Sequence, residues 1–173
     1  MTQISQCFNS LAQYLNTPVG KITKQEQLYV RTNRNHTVAG TINIIFTLLK
    51  ESKSTLGGKD PIEEALIHQW LDYALVYGVN ANNNQSIQSL LQQLDGILAT
   101  KTYLVGNRLT IADAFLYYVL LNIMTNLTYL EKEKYINVSR WFDNIQQDAQ
   151  LRQKNGMVNF STIYLANLVP VRH

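Results

Sequence analysis

The chain has 173 residues, 46% of them hydrophobic and 16% charged, with a formal net charge of +3. That is enough chain to bury a real core. Its longest apolar run, Ala114 to Leu121, falls far short of the ~18 residues a membrane span needs. One cysteine, Cys7, excludes an internal disulfide framework and a cysteine-based metal cluster. No basic-then-apolar leader opens the sequence, so a soluble intracellular protein is expected. The charge is uneven: residues 1–59 carry seven Lys/Arg against Glu26 and Glu51, whereas residues 60–173 carry eight against ten acids. A basic front half could suit RNA, through residues 21–34, or an acidic partner. No dense basic run occurs, so direct nucleic-acid binding is not expected.

Residues 1–14 read as a helix with Ile4, Phe8, Leu11 and Leu15 on one side, broken by Thr17-Pro-Val-Gly20. Leu28-Tyr-Val30 predicts a short strand, Thr32-Asn-Arg-Asn35 a turn, and Ile42, Ile45, Phe46 and Leu49 a helix. Gly57-Gly58 reads as a linker, which divides the chain into residues 1–56 and 57–173. The rest is helical. Asp60-Pro-Ile-Glu63 sets a cap, a first-turn proline and a capping-box acid in order. Ile62, Leu66, Ile67, Trp70, Leu71, Ala74 and Leu75 then mark one face, and Gly78 stops it. The next stripe is Ile87, Leu90, Leu91, Leu94, Ile97 and Leu98. Thr128-Tyr-Leu-Glu131 is a second capping box. Asn137 is expected to cap the helix whose Val138, Trp141, Phe142 and Ile145 face inward, and Met157 to Leu168 to close the bundle.

The most informative stretch is Tyr103 to Leu121. Between Ile111 and Met124 only Asp113 and Asn122 are polar, and a helix apolar all round belongs inside a bundle. Its buried start needs partners for its free N–H groups. Thr110 at the N-cap and Asp113 three residues on supply a capping box with Asp in place of Glu.

An aromatic-Leu-x-Gly turn (Tyr103-Leu-Val-Gly106), then Leu109-Thr-Ile-Ala-Asp113 and a wholly apolar helix, resembles the central helix of the glutathione-transferase C-terminal domain. His68-Gln-Trp-Leu-Asp-Tyr73, Leu116-Tyr-Tyr118 and above all Glu131-Lys-Glu-Lys-Tyr-Ile-Asn-Val-Ser-Arg-Trp-Phe142 with Ile145-Gln146 narrow the likeness. They resemble the small transferase-like auxiliary subunits of the multi-aminoacyl-tRNA synthetase complex. The resemblance covers about residues 30–150. It implies a mainly α, glutathione-transferase-like fold: a shortened thioredoxin-like α/β domain followed by an all-α helical bundle. It implies a non-catalytic scaffold without cofactor or metal, in the cytoplasm and also in the nucleus. Methionyl-tRNA synthetase would dock on the dimer-like face, and glutamyl-prolyl-tRNA synthetase near the Ser-Arg-Trp-Phe helix, where Arg140 is the matching arginine. The dimer-like face would comprise the helix after Gly40 and the outward side of residues 63–77, and the chain alone could pair with itself there.

The alternative is a glutathione-dependent transferase, which must lower the thiol pKa of glutathione with a hydroxyl or cysteine at the end of a first strand. No room exists for a strand before the first helix. Leu28 stands where the family's cis-proline is expected, and Ala39-Gly40 where its acid–Ser pair would be. Cys7 reads as a half-buried helix cysteine. His36, His68 and His173 are scattered, without ligand spacing, and His68 reads as solvated. Tyr117 and Tyr118 read as core or seam aromatics. On the helix after Asn137, Arg140, Asp143 and Asn144 share the outer face. A solvated Arg140–Asp143 pair at i+3 would be worth only ~0.3–0.5 kcal/mol. A planar, multi-donor arginine also suits an interface, so these three are the candidate partner-interface residues.

Overall fold

The computed structural model describes residues 2–26, 28–34 and 36–160. Helix α1 (Gln3–Tyr14) leads into three short strands, β1 (Lys21–Gln25), β2 (Leu28–Asn33) and β3 (His36–Ala39), and then α2 (Thr41–Ser52). A helical bundle follows: α3 (Pro61–Tyr73), which ends in a π turn over Ala74–Gly78, α4 (Asn84–Leu98), α5 (Ile111–Asn126), α6 (Tyr129–Lys134), α7 (Ile136–Gln146) and α8 (Ala149–Arg152). The segment expected to close the bundle lies, from residue 161 onward, outside the described residues.

The strands form an antiparallel meander in the order β1-β2-β3. Thr32 and Asn33 do not belong to the expected turn: they pair with Thr37 and His36 and extend β2. Strand β1 was not anticipated because Lys-Ile-Thr-Lys-Gln offers one apolar residue, and its pattern is a surface edge strand. Gly20 has φ +73°, and a Cβ there would come within 2.7 Å of the Thr32 carbonyl oxygen, so only glycine lets the chain enter β1 this close to β2.

Arg31 anchors the sheet to α2. It sits on a strand of a basic segment, yet it is only 2% exposed. Its guanidinium grips Glu51 of α2 with two bonds (2.9 and 2.7 Å) and donates to the carbonyls of Val19 (2.8 Å) and Pro18 (2.7 Å). A planar fork satisfied by a bidentate carboxylate and two carbonyls is the favourable way to bury this charge. Arg31 therefore leaves the set of cations available to nucleic acid.

The bundle closes around α5, whose residues Ile111 to Leu120 are all buried. Its start is held from three sides. Asp113 Oδ2 accepts from the Thr110 N–H (3.0 Å) and hydroxyl (2.9 Å), which is the expected box. Asp113 Oδ1 also accepts from the Leu104 N–H (2.9 Å) and from Trp141 Nε1 of α7 (3.0 Å). The Leu56 carbonyl takes the Ile111 N–H (2.9 Å). Burial pushes the Asp113 carboxyl above the ordinary carboxylate range, and the four donors pull it back.

The expected linker is pinned rather than loose. Arg108 donates to the Thr55 and Gly57 carbonyls and to Glu63 (2.8 Å). A Cβ on Gly58 would lie 2.6 Å from the Glu64 nitrogen. Asp60 caps α3 as expected, accepting from the Ile62 and Glu63 N–H groups, while Glu63 reaches back to the Lys59 N–H. The Thr128–Glu131 box forms with both reciprocal bonds. At α7 the expectation fails. Asn137 lies inside the helix, and Asp95 of α4 caps it instead, accepting from the Asn137 and Val138 N–H groups at 2.8 and 3.2 Å. Front piece and bundle share one apolar core: Phe8 and Leu11 of α1, Ile44 and Leu48 of α2, and Phe115 and Tyr117 of α5 belong to it. Tyr117 and Tyr118 are core aromatics, as read from the sequence; the Tyr118 hydroxyl donates to the Leu151 carbonyl at 2.7 Å.

Two outcomes follow for stability. Asp113→Ala orphans three buried N–H donors at roughly 1–3 kcal/mol each, so chemical denaturation should show a loss of at least about 3 kcal/mol; a loss under 1 kcal/mol would deny the hub. Glu51→Ala leaves Arg31 half-satisfied, and with the glutamate partly solvated the cost should be roughly 2–3 kcal/mol. Arg31 lowers the Glu51 pKa below its usual 4.5, so this contribution is complete above that value. It is lost as pH falls through the depressed folded-state pKa. The stability difference between wild type and Glu51→Ala should therefore shrink on acidification below pH ~4.5 and stay flat above it.

Candidate interaction surfaces

The three residues singled out on α7 do share its outer side. Arg140 and Asn144 are exposed and Asp143 half-buried. The i+3 pair does not form. Arg140 Nη2 instead donates to the carbonyls of Leu98 (2.6 Å) and Lys101 (3.1 Å), where α4 leaves its last carbonyls without helical partners. Asp143 accepts from the amides of Gln146 (2.7 Å) and Gln147 (3.2 Å). Arg140 thus has a fold-internal duty that the sequence did not reveal, because its partners lie 42 and 39 residues away. Arg140 also lines two grooves. One, of ≈ 430 Å³, runs past Thr100, Lys101, Thr102 and Asn144; the other, of ≈ 170 Å³, runs along α6 past Tyr129, Ile136 and Asp143.

The second surface is clearer than the sequence made it. The apolar arc of α3 is too wide for one core, and the structure splits it. Ile67, Leu71 and Ala74 are buried, whereas Ile62 is 75% exposed, Leu66 40% and Tyr77 54%. Ile62, Leu66, Trp70, Tyr73 and Tyr77 recur at spacings of four, four, three and four, which places them along one flank. Trp70 packs edge-on against Tyr73 (centroids 5.4 Å), Tyr73 lies 5.0 Å from Tyr77, and Tyr73 donates to Gln93 of α4 (3.2 Å). On the opposite flank His68, exposed as read from the sequence, also stacks on Phe46 of α2 (4.2 Å, 18°). The π turn that ends α3 lets Gly78 sit against Val119 of α5, where a Cβ would come within 2.7 Å, and leaves Val76 and Tyr77 outward. Exposed aromatic and aliphatic side chains along one helix flank make this a candidate association surface.

The elements a glutathione site requires do not converge. Among the described residues no peptide bond is cis. Leu28 is an exposed strand residue, and Gly40 opens α2 with no side-chain cap. Cys7 lies within α1, 3% exposed, and burial pushes its thiol up to about 12. A nucleophilic or glutathione-activating cysteine needs the reverse shift and access. Among the described residues no group of three His, Cys, Asp or Glu is arranged to hold a metal ion, and no helix is long and apolar enough to cross a membrane.

Comparison with known proteins accords with this architecture. The family model described as nuclear-export cofactor Arc1p matches residues 63–149. Eukaryotic translation elongation factor 1 epsilon-1 of Cricetulus griseus is 39% identical over 132 residues, 76% of each chain. The tRNA-aminoacylation cofactor arc1 of Schizosaccharomyces pombe is 28% identical over 81% of this chain, which spans 29% of that protein. Among solved structures, the glutathione-transferase-like domain of elongation factor 1-gamma from Saccharomyces cerevisiae aligns over 92% of this chain and 91% of its own, with a TM-score of 0.68 at 14% identity. The fold is therefore glutathione-transferase-like, with a short front sheet and a helical bundle. The chain belongs to the family that contains eukaryotic translation elongation factor 1 epsilon-1 and Arc1p.

Proposed function

We propose that this chain is a non-catalytic adaptor of the multi-aminoacyl-tRNA synthetase complex, using its transferase-like surfaces to hold synthetases in place during translation. The observation that carries this reading is the flank of α3, where the exposed Leu66 and Tyr77 and the half-buried Trp70 and Tyr73 form one apolar, aromatic surface. Large rigid aromatics of this kind concentrate binding energy at low entropic cost. In this reading methionyl-tRNA synthetase docks on the α2–α3 side. Glutamyl-prolyl-tRNA synthetase docks on α7 at Arg140, Asp143 and Asn144. A second copy of the chain takes the α3 flank when no synthetase is present, and the protein works in the cytoplasm and the nucleus. The inaccessible, high-pKa Cys7 speaks against the glutathione-dependent alternative.

Affinity purification from native lysate should recover both synthetases; recovery of neither contradicts the reading, and turnover of a generic electrophile with glutathione would favour the enzyme. Leu66→Asp with Tyr77→Ala should reduce methionyl-tRNA synthetase capture at least tenfold, about 1.4 kcal/mol, while each exposed change moves stability by only about 0.5 kcal/mol. Arg140→Ala should do two things at once: weaken glutamyl-prolyl-tRNA synthetase capture and lower stability by about 1 kcal/mol through the lost carbonyl bonds at the end of α4. Asn144→Ala separates these effects, since it should lower capture alone. If Asn144→Ala leaves capture intact and Arg140→Ala changes only the melting temperature, the α7 face is structural.

A further inference from the structure

The front sheet keeps one open edge. In the meander β1 pairs with β2 alone, so its outer side carries no strand among the described residues. The register decides which peptide groups line that side. The Tyr29 carbonyl accepts from the Gly40 N–H at 2.9 Å, so the peptide groups of Tyr29 point toward β3. Successive residues of a strand alternate in this respect. Val30 and Thr32 therefore turn toward β1, where they pair with Thr23 and Lys21. Ile22 and Lys24, between those paired positions, aim their N–H and C=O groups away from the sheet. None of these groups meets a backbone partner among the described residues.

The surroundings of this edge are cationic. Lys21 and Lys24 are exposed, and their places in the strand put them on opposite faces of it. The Lys24 ammonium lies 5.8 Å from the centre of the Tyr29 ring. Arg34, at the turn after β2, is exposed as well. With Arg31 and Glu51 paired to each other, residues 1–59 keep six cations against Glu26 alone. Pairing β1 with β1 of a second copy would bring lysines together, which opposes it. RNA would engage the ammonium groups but offers no strand to pair with the outward peptide groups. An extended acidic segment meets both demands at once: ladder partners for Ile22 and Lys24, and carboxylates for the lysines on either face. We propose that the outer edge of β1 receives such a segment of a partner protein as a further strand of the sheet. This edge lies on the front sheet, apart from the α3 and α7 surfaces, and the proposal stands without the adaptor reading.

The test uses the full-length, isotope-labelled protein and a short capped peptide of alternating threonine and glutamate, with a threonine–lysine peptide as control. The acidic peptide should shift the amide signals of Ile22 and Lys24 and slow their exchange with solvent several-fold. Thr37 and Ala39, outward at the opposite edge by the same register, should not respond, and the lysine peptide should have no effect. Lys24→Pro removes an outward N–H while leaving the β1–β2 ladder intact, and should weaken binding roughly tenfold or more. Lys21→Glu with Lys24→Glu keeps every peptide group in place; it should weaken the acidic peptide as much and favour the lysine one. The Val30 and Thr32 amides report whether the sheet survives the proline, and the charge reversal carries the test if it does not. Unshifted Ile22 and Lys24 amides at millimolar peptide, an equal response to both peptides, or binding unchanged by the charge reversal overturns the proposal. So does protection of these two amides in the protein alone, which would assign the edge to this chain or, if it grows with concentration, to a second copy. Tighter binding of a short oligouridylate than of the acidic peptide would assign the strand to RNA and overturn it too.

Discussion

The structure depends on one carboxylate. Asp113 sits at the first turn of a helix with no wet face, and its two oxygens gather the N–H groups of Thr110 and Leu104, the Thr110 hydroxyl and the Trp141 indole. Three pieces of chain that are distant in sequence or differ in conformation are thereby fixed to one another: the loop before α5, the start of α5 and the middle of α7. Because α5 is buried along its first ten residues, every neighbouring helix takes its position from it. An apolar side chain at 113 could fill the space but could not satisfy those donors.

A second constraint carries that order to the front piece. Arg31 and Glu51 join the meander to α2, and α2 seats Phe46 against His68 of α3. The front sheet is too small for independent stability; what it contributes is a fixed α2 beside α3. The arrangement is a transferase-like frame whose outer surfaces the proposed function uses. Its main framework bonds gather at Asp113 and Arg31, while Leu66 and Tyr77 on α3 and Asn144 on α7 are outward.

Much of this was legible in the sequence. The capping boxes at Thr110–Asp113 and Thr128–Glu131 and the inward set of α7 follow from local spacing, because caps and amphipathic stripes act within one or two turns. What escaped was non-local. Asp95 caps α7 from 42 residues away, and no pattern around either partner announces it. Arg31 reads as one more surface cation until Glu51 is seen across from it. Arg140 reads as free until the end of α4 is placed beside it. The α3 stripe is a subtler case. Periodicity finds an apolar arc wider than one face but cannot say which part the core takes, and the part it leaves is the candidate functional surface. Strand β1 escaped for the opposite reason, since a polar edge strand carries almost no apolar signal.

The central claim is that function resides on the outer faces of the bundle and not in a cleft. Hydrogen–deuterium exchange of the full-length protein, alone and with purified methionyl-tRNA synthetase, tests it most directly. The account predicts added protection along residues 62–77 and in α2, with the buried first turns of α5 unchanged. Protection confined to the region around Cys7 and Gly40, or no change along α3, would contradict it.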